Sequence, residues 1–324
     1  MNATTNGSCS PGKWFCFDTG PDDSSSIART VFTCTVNIGG VCMCGLVLYM
    51  IVLVIWHRYK SDFDNSFYTF ARCLAAADVV VILIELIYCF PIAVLGRSVF
   101  PYWFHVVCGI CRLTAVWVEI PLVVVIAVSR YVVLFHSAIG EVVFSRKGST
   151  VIVCAVCSLS AGVASWAVAC RCLIQFTGFT WMYPCVNPTF VKFLNATSTV
   201  GLGSGTVVGL IYSLIYVRLK LLLKRTNKSQ EENFRKEAAL FRQCSVIICC
   251  FVTWMFMFPI VQRLISDKVL SGMFLHLINN LNFATTPFCY LVFSSAVRQR
   301  LNKNLWKSTE VSFTGNKVVS VKPY

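Results

Sequence analysis

Seven apolar segments, each long enough to cross a lipid bilayer, constrain this chain more than any other feature of its sequence. A helix needs about 20 apolar residues to span the hydrocarbon core. Only helices and closed barrels satisfy every backbone polar group in lipid, and these runs lack the alternation of barrel strands. The sequence therefore predicts an all-α membrane protein, a seven-transmembrane helix bundle. The predicted segments are Val31–Trp56, Ser66–Phe90, Phe104–Phe135, Thr150–Leu173, Phe190–Leu223, Ala238–Leu264 and Val269–Phe293.

Composition supports the membrane assignment. Hydrophobic residues make up 56% of the chain and charged residues 13%, and the mean hydropathy is +0.70. The net charge of +14 would suit a nucleic-acid-binding protein, but no zinc-finger or RNP pattern accompanies it. The basic residues lie between the apolar segments, so we assign them to cytoplasmic loops and expect no nucleic-acid partner.

Most Lys and Arg residues flank the same ends of the apolar segments, and by the positive-inside rule those ends are cytoplasmic. The N-terminus is then extracellular. After the last segment, Val297, Leu301 and Leu305 recur every four residues between basic residues, which predicts a short amphipathic eighth helix on the inner membrane surface. The predicted parts are an extracellular tail 1–30, a bundle 31–293, an amphipathic helix 294–307 and a cytoplasmic tail 308–324.

Charged residues interrupt the second and third segments. The second holds Asp78 and Glu85, and the third holds Arg112, Glu119 and Arg130. A charge inside a membrane helix costs about 2.5–3.5 kcal/mol or more, so these residues should face the bundle interior. In both segments the outer and middle charges are seven residues apart, which places them two turns apart on one helix face. Local ion pairing is the simplest explanation of any one of them.

Three short motifs lie at matching positions of the predicted bundle: LAAAD in the second segment, SRY at the foot of the third and TPFCY at the end of the seventh. With seven helices, an external N-terminus and a basic amphipathic helix, they resemble the rhodopsin-like G-protein-coupled receptors. The cysteine richness and the relaxed motifs look most like the chemosensory serpentine receptors of nematodes. The resemblance covers about Val31 to Trp306.

The resemblance implies an activation switch at the cytoplasmic end. Arg130 and Tyr131 match the last two residues of the family's Asp/Glu-Arg-Tyr triplet, and Pro287 and Tyr290 match its Asn-Pro-x-x-Tyr motif. Arg130 should act as a latch that meets Tyr290 and the inserted G-protein helix, and its simplest alternative is a snorkelling interface anchor. The expected neighbours of this latch also include Tyr216 or Tyr212.

The chain departs from these motifs in several places. Ser129 replaces the acid of the triplet, and Thr286 replaces the asparagine before Pro287. Trp254 lies five residues before Pro259, whereas the family places a tryptophan two residues before the proline. Because of this spacing, we leave open whether Trp254 acts as the conformational switch that the family's tryptophan provides.

Asp78 matches the acid that the family keeps in its second helix, and Glu119 lies at the level of its sodium pocket. Two carboxylates close together in low dielectric do not both ionise easily, so the pair should bind a cation or share a proton. Asn282 and Thr286 can complete the site. The resemblance implies no cofactor other than this candidate sodium ion.

The resemblance also implies a small-molecule ligand among the outer halves of the helices. Arg112 should point there, and it either pairs with Glu85 or waits for an anionic ligand group. Both roles are compatible if the ligand displaces Glu85, and a carboxylate or other acceptor-bearing molecule is then expected. Aromatic contacts are expected from Trp117, Trp254 or His276.

An extracellular disulfide should tie the loop after the fourth segment to the third. Cys185 in that loop is expected to pair with Cys108 or Cys111, and we favour Cys108, which is nearer the helix end. The family's own cysteine position is occupied by His105. Cys9 and Cys16 could pair with each other or with Cys170 or Cys172.

The function that the resemblance implies is a plasma-membrane chemosensory receptor that binds a small ligand and activates a heterotrimeric G protein. A transporter or channel that uses the intramembrane charges is the rival of another class. No HExxH, GxSxG or Gly-rich phosphate loop supports an enzyme. Ligand-dependent nucleotide exchange would favour the receptor, and ligand-dependent current without a G protein would favour the channel.

Two sequons in the N-terminal tail test the orientation. We expect glycans on Asn2 and Asn6, because an extracellular tail passes through the lumen where glycosylation occurs, and none on Asn227, which lies in a predicted cytoplasmic loop. Glycosidase treatment should increase the mobility of the wild type but not of an Asn2→Gln, Asn6→Gln variant. A mobility shift that survives in this variant and disappears with Asn227→Gln would reverse the orientation.

Overall fold

A computed structural model describes residues 30–63, 66–95, 97, 99–178, 180–182, 185, 187–223, 231–294 and 296–302. Seven long helices make up most of this part of the chain, and we number them in chain order. They are α1 (Phe32–Arg58), α2 (Ser66–Leu95), α3 (Tyr102–Phe135), α4 (Arg146–Ala169), α5 (Pro188–Leu223), α6 (Glu231–Leu264) and α7 (Lys268–Phe293). Asn2, Asn6, Cys9, Cys16 and the tail 308–324 lie outside the described residues.

The helices follow the predicted segments, with differences at their ends that local chemistry explains. At the start of α4, Ser145 caps the helix by accepting a hydrogen bond from the Gly148 amide at 3.1 Å. Asp267 does the same for α7, accepting from the Val269 amide at 2.8 Å. Helix α6 begins at Glu231, seven residues before the predicted start at Ala238. Hydropathy marks only the apolar part of a helix, and the polar first turns of α6 escape it.

Helix α2 also runs further than predicted, because it continues past Pro91 to Leu95. Proline has no amide hydrogen and normally ends or kinks a helix. Here the turn from Glu85 to Cys89 is a wide π-helical turn, in which the Phe90 amide donates to the Glu85 carbonyl. The change of hydrogen-bond pattern therefore lies directly before the proline.

The bundle exposes many large apolar side chains and buries several charged ones within its apolar core, unlike a typical soluble protein. Large side chains such as Val54, Leu159 and Leu214 are more than half exposed, whereas Asp78 and Glu85 are buried. Helix α3 packs against α2, α4, α5 and α6, and α7 packs against α6, α1 and α2. This pattern suits a lipid surround, so the prediction of an all-α membrane bundle is confirmed.

Length and composition alone make α1 to α4 candidates for membrane crossing. Helices α5 and α6 contain the shorter apolar stretches Leu202–Arg218 and Ser245–Met257. The number of seven crossings stays a prediction.

The predicted amphipathic helix 294–307 is described only in part. Residues 296–302 are helical. Val297 is fully buried, and the Arg300 guanidinium lies 4.7 Å from the centre of the Tyr59 ring. An apolar residue inward and an arginine on an aromatic ring fit the predicted amphipathic character, and its remaining residues lie outside the described part.

A short β-hairpin closes one end of the bundle, which we call the hairpin end. Its strands are β1 (Gln175–Phe176) and β2 (Trp181–Met182), paired antiparallel. The hairpin lies directly on α3 at Gly109, where an added Cβ would stand 2.8 Å from the Ile174 carbonyl oxygen. The absence of a side chain at Gly109 is therefore what allows this approach.

The predicted disulfide between Cys185 and Cys108 is wrong in this structure. Cys185 is bonded to Cys172 instead, and Cys108 and Cys111 are free thiols. Cys172 and Cys185 flank the two strands of the hairpin, so antiparallel pairing brings them together. Cys108 is buried in an apolar cluster with residues such as Ile84 and Tyr88.

This pairing can be tested by thiol mapping. Peptide mapping of the non-reduced protein should join Cys172 to Cys185 and find Cys108 as a free thiol. Cys172→Ala should make Cys185 reactive toward a maleimide under denaturing conditions, whereas the matched variant Cys108→Ala should leave it blocked. A blocked Cys185 in Cys172→Ala would mean that another cysteine is its partner.

Candidate functional site

A cluster of buried polar side chains lies beneath the hairpin, and we call it the outer cluster. Its members are Asn37, Glu85, Arg112, Trp181, His276 and Asn280. The Glu85 carboxylate is at its centre and is 0% exposed. Its Oε1 atom accepts from Arg112 in an ion pair and from the Trp181 indole nitrogen at 2.9 Å, and its Oε2 atom lies 2.9 Å from His276 Nε2. One carboxylate thus joins α2, α3, α7 and the hairpin.

Arg112 is 3% exposed and is held by two different interactions. It pairs with Glu85, and its guanidinium carbon lies 4.3 Å from the centre of the Trp181 ring. Arginine on an indole face is a favourable cation–π arrangement. Removal of one partner from a buried ion pair typically costs about 3–5 kcal/mol, because the other charge is left uncompensated. Of the two alternatives that the sequence leaves for Arg112, the structure contains the pair with Glu85.

The outer cluster extends to α1 through two asparagines. The Asn37 side-chain amide lies 3.1 Å from His276 Nδ1, and Asn280 bridges Asn37 at 3.0 Å and His276 Nε2 at 3.2 Å. Asn37 and Glu85 both lie in π-helical stretches, Phe32–Cys42 and Glu85–Cys89. Such wide turns are frequent at functional sites. Here they carry Asn37 of α1 and Glu85 of α2 into the outer cluster.

The two other predicted ligand residues lie elsewhere. Trp117 stacks on Phe193 with ring centres 5.5 Å apart, in the apolar cluster between α3, α4 and α5. Trp254 lies 5.7 Å from the Phe251 ring and packs against the main apolar core. Other aromatic rings lie next to Arg112 and His276 instead. The Trp181 ring faces the Arg112 guanidinium, and the centre of the Phe176 ring is 5.5 Å from that of His276.

A second cluster lies one level deeper, and we call it the carboxylate pair. Asp78 accepts a hydrogen bond from the Tyr49 hydroxyl, and Glu119 accepts one from the Asn282 amide. The Thr286 hydroxyl donates to the Asn282 backbone carbonyl at 3.4 Å, and the two carboxyl groups are close enough to interact electrostatically. The structure therefore links Glu119 to Asn282 and Asn282 to Thr286 by hydrogen bonds, and Asp78 is within electrostatic range of Glu119.

Each carboxyl group of the pair keeps one oxygen without a hydrogen-bond partner among the described residues. These atoms are Asp78 Oδ1 and Glu119 Oε2, and both are buried. A buried polar atom without a partner is costly and calls for an explanation. Hard cations take oxygen ligands, and a shared proton would also supply a partner. The donor set therefore fits either a small cation or a proton.

The predicted switch residues gather at the opposite end of the bundle. Arg130 is 4% exposed, and its guanidinium carbon lies 4.8 Å from the centre of the Phe67 ring. Ser129, which stands where the family has an acid, turns its hydroxyl to the Ile126 carbonyl at 2.8 Å. The Tyr131 ring packs on Phe135 at 4.9 Å. In this structure an aromatic face therefore helps to hold Arg130 in place.

Tyr290 is fully buried near this end, beside Trp56, with ring centres 5.0 Å apart. It borders a cavity of about 10 Å³ that is also lined by Phe67 and Ile126, about the space of one water molecule. Pro287 lies within α7 one turn earlier. Tyr216 is 58% exposed on the outside of α5, whereas Tyr212 is buried, so the structure does not bring Tyr216 to Arg130.

Sequence reasoning missed four residues that these clusters use. Trp181 lies in the loop after the fourth segment, and the fold of that loop cannot be read from hydropathy. Tyr49 and Asn37 lie in an apolar segment without a distinctive motif. Asn280 lies in the seventh segment between the predicted site residues His276 and Asn282.

The comparison with known families gives one clear result. Residues 40–293 match the family of serpentine type seven-transmembrane G-protein-coupled chemoreceptors called Srx. A search of curated proteins found no significant match. The family match covers most of the chain and confirms the resemblance to chemosensory serpentine receptors, which are a receptor family and not an enzyme family. The chain therefore belongs to the Srx family of serpentine seven-transmembrane chemoreceptors.

Proposed function

We propose that this chemoreceptor lies in the plasma membrane with its N-terminus outside, binds a small molecule at the outer cluster and activates a heterotrimeric G protein at its cytoplasmic end. The observation that carries the proposal is the buried Glu85–Arg112 pair beneath the hairpin. A buried ion pair is weak evidence for stability, since apolar residues often serve as well. Its position directly beneath the hairpin, at the end of the bundle that we assign to the outside, favours a role in recognition.

The side chains of the outer cluster occupy the site themselves. Trp181 covers the Arg112 guanidinium and also donates to Glu85. A ligand that binds Arg112 must displace Trp181, Glu85 or both. Because these groups belong to the hairpin, α2 and α3, their displacement gives the ligand different affinities for two helix arrangements. Such a difference is what a ligand needs to shift a conformational population.

In the proposed mechanism, the carboxylate pair lies between the ligand site and the end of the bundle that contacts the G protein. We propose that Asp78, Glu119, Asn282 and Thr286 bind a sodium ion or hold a shared proton in one of the two arrangements. Support comes from the two buried carboxylate oxygens without partners among the described residues. A transporter or channel would also use intramembrane carboxylates. The receptor is favoured because the chain belongs to a chemoreceptor family.

The G-protein end is tested with Arg130→Ala. If Arg130 is the latch that meets the G protein, receptor-stimulated nucleotide exchange should fall by about tenfold or more, which corresponds to ~1.4 kcal/mol of coupling free energy. Ligand binding and surface expression should persist, because the outer cluster lies at the other end. The matched control is Lys147→Ala, which removes an exposed positive charge of α4 at the same end. Normal exchange by Arg130→Ala would leave Arg130 as an interface anchor only.

The carboxylate pair is tested by replacing sodium with choline at constant ionic strength. Sodium should raise the Tm of the purified receptor and lower its basal nucleotide exchange, because the ion stabilises the arrangement that binds it. Asp78→Asn and Glu119→Gln should each remove the sodium effect. Asp267→Asn serves as the control, since it changes an exposed carboxylate and preserves the helix cap. Independence of both sodium and pH in the wild type would make the pair purely structural.

A further inference from the structure

A row of buried aromatic side chains connects Arg130 with Tyr290 at the end of the bundle opposite the hairpin. We call it the aromatic row, and its members are Trp56 on α1 and Phe67 and Tyr68 on α2. At one end of the row, the Arg130 guanidinium carbon of α3 lies 4.8 Å from the centre of the Phe67 ring. At the other end, the Tyr290 ring of α7 lies 5.0 Å from that of Trp56, measured between ring centres. The row therefore contacts two predicted switch residues that belong to different helices.

The members of the row are joined by edge-to-face contacts, which aromatic pairs favour. Phe67 and Tyr68 have ring centres 5.0 Å apart with planes at 68°, and Tyr68 and Trp56 have centres 5.9 Å apart with planes at 70°. Trp56 and Tyr290 continue this geometry with planes at 72°. Arg130 over the Phe67 ring adds a cation–π contact. A continuous series of favourable contacts thus extends from α3 through α2 and α1 to α7.

The turn between α1 and α2 anchors the row. Phe63 in this turn is fully buried, and its ring packs edge-to-face on Tyr68 with centres 4.8 Å apart. The Arg72 guanidinium donates a hydrogen bond to the Phe63 carbonyl oxygen at 3.1 Å. The indole N–H of Trp56 is buried and has no hydrogen-bond partner among the described residues. Packing and ring contacts therefore hold Trp56 in place.

The burial of Arg130 and Tyr290 identifies the arrangement that the row stabilises. Both side chains are almost completely buried. The proposed role of Arg130 is to meet a helix of the G protein, and a buried side chain cannot make that contact. Interactions that keep these two residues buried therefore favour the arrangement without a bound G protein. The row supplies such interactions to both residues, so it shifts the population away from the active arrangement.

We infer that the aromatic row locks the resting receptor, and that Trp56 is a positioning residue for Tyr290 as Phe67 is for Arg130. The inference rests on the proposed function and adds the residues that oppose activation. Because Tyr68 packs on both Phe67 and Trp56, the loss of one contact with a switch residue weakens the support of the other. Arg130 and Tyr290 therefore leave the row together.

The lock is tested with two substitutions of Trp56. Trp56→Leu removes the aromatic ring and should raise nucleotide exchange without ligand by about threefold or more, which corresponds to ~0.7 kcal/mol. Trp56→Phe keeps an aromatic ring for Tyr290, so exchange should stay within about twofold of the wild type. The matched control is Trp166→Leu, because Trp166 packs edge-to-face on Phe190 and Phe193 in the apolar cluster between α3, α4 and α5. This control should leave exchange unchanged even if it lowers the Tm.

Joint release is tested with Phe67→Leu, alone and combined with Trp56→Leu. Phe67→Leu should also raise exchange without ligand, because it removes the ring beneath the Arg130 guanidinium. If the row acts as a unit, the double variant should exceed the stronger single variant by less than about twofold, whereas independent contacts multiply their effects. Multiplied effects would overturn the shared lock. If Trp56→Leu does not fold, Tyr68→Leu, which removes the middle of the row, replaces it in both tests.

A readout without a G protein separates the lock from the proposed function. Cys289 is a buried free thiol one residue before Tyr290, and Cys108 is a buried free thiol at the hairpin end. Their rates of modification by N-ethylmaleimide in the native receptor are measured by peptide mapping. Trp56→Leu should raise the rate at Cys289 by a similar factor and leave the rate at Cys108 unchanged, because only the region around Tyr290 opens.

The two readouts together decide between the outcomes. In a folded Trp56→Leu receptor, an unchanged rate at Cys289 would overturn the lock, and so would equal effects of Trp56→Phe and Trp56→Leu. Unchanged exchange would do the same with a G protein that the wild type activates. Faster modification of Cys289 without exchange on a G protein of any major class would count against the proposed receptor function and leave the lock standing.

Discussion

The cost of placing a charge in low dielectric governs the interior of this bundle. Each buried charged group must find a partner of opposite charge or several hydrogen bonds, since the surrounding lipid offers neither. Glu85 satisfies this need with three donors, and it draws them from α3, α7 and the hairpin. Apolar side chains fill the space between the helices. Because lipid is equally apolar, these contacts do little to favour one helix orientation over another. The relative rotation of α2, α3 and α7 is therefore set mainly by the polar contacts.

The residues that could be predicted are those fixed by helix periodicity. A spacing of seven residues places Glu85 on one face with Asp78, and Arg112 on one face with Glu119. In the structure Glu85 pairs with Arg112, and Asp78 is within electrostatic range of Glu119. Periodicity says nothing about the path of a loop. Trp181 and the Cys172–Cys185 bond depend on the hairpin, and the turn that builds it has no strong signal in an aromatic stretch. Tyr216 was misplaced because a tyrosine at a helix end suits the lipid interface as well as the interior.

The hairpin is held to α3 without the covalent link that the family resemblance suggested. His105, which stands at the expected cysteine position, instead forms a hydrogen bond with the Tyr88 hydroxyl at 2.6 Å and lies 3.2 Å from the Phe100 carbonyl. Among the described residues, the disulfide braces only the hairpin itself. The contacts of Trp181 with Glu85 and Arg112 therefore contribute much of the attachment of the hairpin to α2 and α3. A noncovalent attachment can be exchanged for a ligand, which a disulfide cannot.

The same four helices, α1, α2, α3 and α7, supply both the outer cluster and the carboxylate pair. Helix α2 carries Glu85 and Asp78, and α3 carries Arg112 and Glu119, each pair separated by about 10 Å along the helix axis at 1.5 Å per residue. A helix moves as a stiff unit over such a distance, so a shift of α3 that accommodates a ligand at Arg112 also moves Glu119 against Asn282 of α7. Packed interiors are bistable and not continuously deformable. The two levels should therefore change together, and an ion or proton at the deeper level should influence ligand affinity at the outer one to the same extent that the ligand influences the ion.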